Sequence, residues 1–195
     1  MSSAVNEDLA FRFVSGHRAL DLLSTLGDRH REPVERLREP ADLDRWLEAA
    51  GLPAPARATE EDLADARRLR EAVNRLTRAL LTGDAPAEAD LRELNDWARR
   101  PPLAPQVKAT LERSWSGEEP VRAALALVAR EAVDLLTGPE RALVRECAAA
   151  PACSLLYLDR SRARRRRWCE MERCGSRAKM ASYRRRGRSS GGGGI

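Results

Sequence analysis

The sequence predicts a mainly α-helical protein in which a helical domain, with room for one small β-hairpin, precedes a small cysteine-bearing module. Three observations carry that expectation. Apolar residues recur at steps of three and four through most of the first 140 residues, in a composition with only 4% aromatics and 43% hydrophobic residues. The four cysteines are confined to positions 147 to 174. Charge is also segregated: residues 160 to 188 hold 13 Lys and Arg against Glu170 and Glu172, a local +11 within a chain whose total is +5. A chain of 195 residues can bury one sizeable core and attach one small module. The expected organisation is therefore a helical domain over residues 1–140, a module over 141–188 and a disordered tail over 189–195.

Taken in order, the stretch Ala19-Leu-Asp-Leu-Leu-Ser-Thr-Leu26 places Ala19, Leu22, Leu23 and Leu26 on one stripe, so a short helix ended by Gly27 is expected. Residues 28–38 read as an exposed charged loop. Pro40 to Ala50 reads as a second helix with Leu43, Trp46 and Leu47 inward and Gly51 and Pro53 as stop signals. The run from Thr59 to Asp62 resembles a capping box. Behind it Leu63, Ala66, Leu69, Val73, Leu76 and Leu80 make the strongest helical pattern of the chain, up to Gly83. The next helix, from about Pro86 to Arg99, puts Leu91, Leu94 and Ala98 on one face before Pro101 and Pro102 stop it. Val107, Thr110 and Trp115 mark the small hairpin. A last long helix runs from Pro120 to Thr137, ended by Gly138-Pro139.

The cysteines form two close pairs, Cys147-x5-Cys153 and Cys169-x4-Cys174, separated by 15 residues. No apolar run follows a basic start and no stretch of about 18 apolar residues occurs, which argues against a signal peptide or a membrane span and points to the cytoplasm. In a reducing compartment, paired cysteines are metal ligands rather than disulfide partners. Four thiolates suit structural Zn2+, and a closed four-sulfur shell leaves no open position for an activated water. Residues 154–158 and 164–168 read as strands about a turn, and 177–186 as a helix, an order that resembles a treble-clef finger.

These residues carry a family resemblance. Arg167-Trp-Cys-Glu-Met-Glu-Arg-Cys-Gly-Ser-Arg-Ala-Lys179, preceded by Leu-Leu-Tyr-Leu-Asp-Arg-Ser161, resembles the CGNR zinc-finger family, with Asp159 and Ser161 fitting its D-x-S element. Residues 19–26, together with Asp42-Leu-Asp-Arg-Trp-Leu47, are similar to the ABATE domain that precedes this finger in bacteria. The resemblance implies a stress-induced transcriptional regulator with a DNA-binding finger. One departure is Ser176 where the family motif has Asn, which leaves the ligands intact and bears on any base or phosphate contact made there.

The basic residues Arg164, Arg165, Arg166 and Arg167 before the second cysteine pair, and Arg177, Lys179, Arg184, Arg185 and Arg186 on the last helix, are the candidate nucleic-acid contacts. Arginine's planar fork suits phosphates and guanine edges alike. The alternative for the same charges is a zinc-stabilised adaptor that grips RNA or an acidic protein. No Gly-rich phosphate loop, His-x-x-x-His pair or nucleophile elbow is present, so an enzyme is not expected. His17, Asp21 and Thr25 are the candidates for a ligand pocket in the helical domain, which would sense a small molecule or protein effector. A homodimer presenting two fingers is a further expectation.

Overall fold

The computed structural model describes residues 10–53 and 56–189, with the side chains of Ser182 and residues 185–189 outside that description. Of the tail expected over 189–195, Ser189 is the last residue of the final helix and residues 190–195 lie outside the described residues. The elements in order are α1 (Arg18–Leu23), β1 (Leu26–Gly27), β2 (Val34–Glu35), α2 (Pro40–Ala49), α3 (Glu60–Thr82), α4 (Glu88–Arg99), β3 (Ala104–Val107), β4 (Arg113–Ser116), α5 (Pro120–Thr137), a 3-10 turn (Pro139–Leu143), β5 (Val144–Glu146), β6 (Leu156–Leu158), a π-turn (Met171–Gly175) and α6 (Ser176–Ser189). The strands make three separate antiparallel pairs, β1–β2, β3–β4 and β5–β6.

Helices α3, α4 and α5 pack on one another, and α1 rests on α3 and α5. Helix α3 begins at a reciprocal capping box. The Thr59 hydroxyl accepts from the Asp62 amide at 3.2 Å, and the Asp62 carboxylate accepts from the Thr59 amide at 2.9 Å. It ends at Gly83 in the left-handed region, φ 79°, where a glycine carries no Cβ penalty. Its stripe of Leu63, Ala66, Leu69, Val73 and Leu76 meets Val121, Ala124, Leu125, Val128 and Ala132 of α5 in one core. Alanines 123, 126 and 129 of α5 are buried as well, so this helix is covered on most sides and sits centrally. Trp46 of α2 is fully buried in the same core. The β3–β4 hairpin stands where the sequence placed one.

Four local expectations are corrected. Helix α1 ends at Leu23, because the Ser24 hydroxyl donates to the Asp21 and Arg12 carbonyls and the Thr25 hydroxyl to the Leu22 carbonyl, leaving Leu26–Gly27 to pair with β2. Gly27 is therefore a close-approach residue: a Cβ there would lie 2.6 Å from the Arg36 guanidinium. Residues 28–38 are not a wholly exposed loop, since Val34–Glu35 forms β2, Leu37 is fully buried and Arg36 is 5% exposed. Arg36 is held by the carbonyls of Ala10 and Ser24, a partnership that charge content alone does not announce. On α4 the buried face is Asp90, Leu94 and Trp97, while Leu91 faces outward. Asp90 can be buried because Arg75 of α3 holds both its oxygens, at 2.6 to 3.0 Å.

The fourth correction lies in the cysteine module. Residues 164–168 form no strand, and β6 pairs with β5, with Val144 opposite Leu158 and Glu146 opposite Leu156. In the five-residue run of Arg164 to Trp168 the one apolar side chain, Trp168, packs against the thiol cluster, and Arg164 turns the chain at φ 48°. Val144, Leu156 and Leu158 instead join the core of the helical domain.

Candidate metal centre and nucleic-acid interface

Four buried thiols converge beyond the end of the β5–β6 pair. The first two sit at either end of the loop joining β5 to β6, in which the Cys147 amide donates to the Leu155 carbonyl at 3.0 Å and the Ala148 amide to the Arg167 carbonyl at 2.8 Å. Of the second two, Cys169 precedes the π-turn and Cys174 lies within it, where the amides of Cys174 and Gly175 both donate to the Glu170 carbonyl at 3.2 Å. A Cβ on Gly175 would lie 2.5 Å from the Met171 sulfur, so a larger residue there would need that exposed side chain to move aside. Thus a loop between paired strands and a helix start each supply two ligands, the treble-clef arrangement.

All four Sγ atoms of Cys147, Cys153, Cys169 and Cys174 lie within 4.8 Å of one another. Cys153–Cys169 is 3.8 Å and Cys169–Cys174 is 3.6 Å. A tetrahedral ion with metal–sulfur bonds of about 2.3 Å needs sulfur–sulfur edges of about 3.8 Å, so the donor set fits such an ion. At these distances the protonation states of the four sulfurs depend on one another. Hydrogen bonds from Cys153 and Cys169 drive the Cys147 pKa far down, whereas interaction with the Cys147 and Cys153 sulfurs drives Cys169 far up. Burial, reinforced by the neighbouring sulfur charge, pushes Cys174 up to about 12. A divalent ion removes that conflict by stabilising all four as thiolates. Around the sulfurs pack Leu155, Tyr157, Val14, Ala149 and Trp168, a small apolar shell.

The loop between β6 and Cys169 is organised by Asp159. One carboxylate oxygen accepts from the Ser161 amide and hydroxyl at 3.0 and 2.5 Å, and the other from the Arg166 amide at 2.9 Å. Those bonds, the Ser161 hydroxyl first, hold the Asp159 pKa below its ordinary value. Tyr157 closes the loop by donating to the Arg166 carbonyl at 2.5 Å, and burial raises its phenol to about 12.

This loop divides the arginine candidates. Arg164 and Arg165 are exposed at its tip. Arg166 instead lies over the Tyr157 ring, 4.7 Å from its centroid, and donates to the carbonyls of Trp168, at 2.8 Å, and Cys169. It clamps the second cysteine pair. Arg167 stacks on Trp168 at 5.1 Å. On α6, Arg177, Lys179 and Arg184 are exposed, and Arg177, Met180 and Arg184 share a side. With Glu170, Glu172, Arg173 and Ser176 they line an open groove of about 810 Å³ beside the metal-binding turn. Ser176 starts α6 and donates to the Met171 carbonyl at 3.3 Å. Arg185 and Arg186 lie on α6, with side chains outside the description.

The pocket candidates are spoken for within the fold. His17 caps α1, its Nδ1 accepting from the Ala19 amide at 3.3 Å, and burial lowers its pKa. The buried carboxylate of Asp21 accepts from the Ser15 amide at 3.1 Å, and burial raises its pKa to about 6. Thr25 is fully buried and accepts from Arg70, which is itself bidentate to Glu35 at 2.7 Å. None of the three lines the groove on α6.

Several residues that tie the finger to the helical domain carry no sequence signal. Arg78 of α3 bonds Glu146 of β5 at 3.0 Å and the Ser154 carbonyl at 3.3 Å, and the Arg29 amide donates to the Ser154 hydroxyl at 3.3 Å. Arg160 bonds Glu140 at 2.7 Å and the Gly16 carbonyl at 3.0 Å. Arg12 reaches the second cysteine pair across 157 positions. Single arginines in a chain with 35 Lys and Arg cannot be singled out by pattern.

A comparison with curated proteins gives no match. Two family models do match. Residues 144–187, the metal-binding module, fit the CGNR zinc finger. Residues 16–139 fit ABATE, described as "Putative stress-induced transcription regulator". The helical bundle with its four-thiol module thus belongs to the ABATE family and ends in a CGNR zinc finger.

Proposed function

We propose that this chain is a zinc-dependent, non-catalytic DNA-binding transcription regulator of the cytoplasm, in which the finger engages DNA and the helical domain senses a ligand or binds a partner. The observation that carries it is the placement of α6: a 14-residue helix, rooted at the thiol cluster, with Arg177, Lys179 and Arg184 exposed. Such a helix is about 21 Å long and enters a major groove about 12 Å wide. The exposed tip arginines, Arg164 and Arg165, are available to flanking phosphates, while Arg166 keeps the knuckle in shape. Zinc is the ion that best suits four sulfurs at tetrahedral spacing, and its role is to fold the module. The family description, a stress-induced transcription regulator, supports a regulatory role for the helical domain, and sensing a ligand or binding a partner is the form that role takes in this reading. A two-fold dimer would set two fingers on adjacent half-sites.

Selection from a randomised duplex DNA pool, with zinc-loaded wild type and Cys169→Ser in parallel, tests the reading. The expected result is a motif enriched by wild type alone. Retention of DNA with no enriched motif, or equal behaviour of the two proteins, overturns sequence-specific regulation and leaves an adaptor for RNA or an acidic protein.

A further inference from the structure

Residues 10–15 precede both matched spans, yet they are built into the finger. The Ser15 carbonyl accepts from the Leu158 amide at 2.8 Å, adding to the outer side of β6. The Arg12 carbonyl accepts from the Ser24 hydroxyl at 2.9 Å and the Ala10 carbonyl from Arg36 at 3.0 Å, which fastens the same segment to the helical domain. Val14 packs against the thiol cluster. Arg12, with its side chain only 15% exposed, places Nη2 2.9 Å from a Glu170 carboxylate oxygen and 3.9 Å from Cys169 Sγ.

Four thiolates around one divalent ion leave about two net negative charges in a shell of Leu155, Tyr157, Val14 and Trp168. That charge is costly in so apolar a place unless a cation lies close. Arg166 is turned onto the carbonyls of Trp168 and Cys169, and Arg173 lines a small pocket together with Arg12 and Cys153, whereas Arg12 is directed at a sulfur. We infer that Arg12 is a positioning residue of the metal centre: its guanidinium balances the charge at Cys169, and metal occupancy in turn holds residues 10–15 against the finger. This rests on the zinc reading above. Groups in this outer layer typically change metal affinity 10- to 100-fold, and the coupling is reciprocal.

The test uses the full-length, zinc-loaded chain and two readouts: zinc per chain with its rate of transfer to a chromogenic chelator, and amide exchange at Leu158 before and after zinc removal. Arg12→Ala is expected to load one zinc and release it about tenfold faster, with Arg12→Lys near wild type. Glu170→Gln, which keeps the guanidinium beside the sulfur, should release zinc no faster than wild type. Release from Arg12→Ala at the wild-type rate overturns the inference. So does equally fast release from Glu170→Gln, which would make the ion pair rather than the charge responsible. If Arg12→Ala does not fold, the wild type alone decides: Leu158 should lose protection when zinc is stripped, and unchanged protection overturns the coupling. Wild type that binds no zinc overturns the zinc reading together with this inference, whereas wild type that binds zinc with Arg12→Ala behaving identically overturns this inference alone.

Discussion

The helical domain and the finger solve the same stability problem with different means. The helical domain closes a core of some two dozen buried apolar side chains around α3 and α5. The finger has four thiols and a handful of apolar neighbours, and its loop is shaped by hydrogen bonds to Asp159 and by the Arg166–Tyr157 stack. A core of the first kind is cohesive without help, while a segment of about 45 residues gains too little from burial and depends on its metal. The two are not independent, because Val144, Leu156 and Leu158 of the finger's strands lie in the helical core.

The largest expected effect probes that contrast. Chelation, or Cys169→Ser, should abolish protease protection over roughly residues 147–189 while most of the helical circular dichroism signal remains. Complete unfolding of the chain would show instead that the metal holds both parts. Next comes Trp46→Ala, which empties a fully buried site of the helical core and should cost about 3 to 5 kcal/mol in urea unfolding. Zinc content should be unchanged in the folded fraction. If zinc is lost in parallel with the core, the shared strands carry more of the coupling than the packing suggests.

The smallest effect concerns Asp21, beneath the segment that joins the two parts. Its pKa is raised from 3.8 to about 6 by burial, opposed by its bonds from Ser15. Between those values the folded state binds more protons than the unfolded chain, so stability falls as pH rises from about 4 to about 6 and stays at its lower level above. The loss is about 1 to 3 kcal/mol. Asp21→Asn keeps an acceptor for the Ser15 amide and should remove this part of the pH dependence, leaving the variant more stable than wild type at pH 7. Parallel pH profiles for the two proteins would show that the carboxylate is solvated in the folded state.

Much of this was legible in advance because the signals are local. The Thr59–Asp62 box, Gly83, Pro120 and the long apolar stripes of α3 and α5 each specify backbone geometry within a few residues of themselves. The cysteine pairs are similarly local, so their convergence within 4.8 Å followed from spacing and type. Where the reading failed, the deciding partner was distant. Residues 164–168 were expected to pair with β6, but Val144 had the apolar side chain that the core could take. Leu91 fitted the α4 period as well as Trp97 did, and the inward face is the one on which Leu94 and Trp97 join the core and Arg75 pairs with the buried Asp90.

Sequence by itself determined the helical class, the caps that bound α3, the metal-ligand set and the concentration of positive charge near the C-terminus. Those features depend on side chains within one or two turns of each other, or on residue types so rare in this chain that their pairing is unambiguous. Tertiary structure alone decided that Arg12 meets Cys169, that Arg166, exposed like Arg164 and Arg165, is bonded to the Trp168 and Cys169 carbonyls, and that the finger's strands share a core with the helices. Each of those outcomes selects one cation or one apolar face among many chemically equal candidates, and the selection is made by which buried acceptor or cavity the folded chain brings within about 3 to 4 Å.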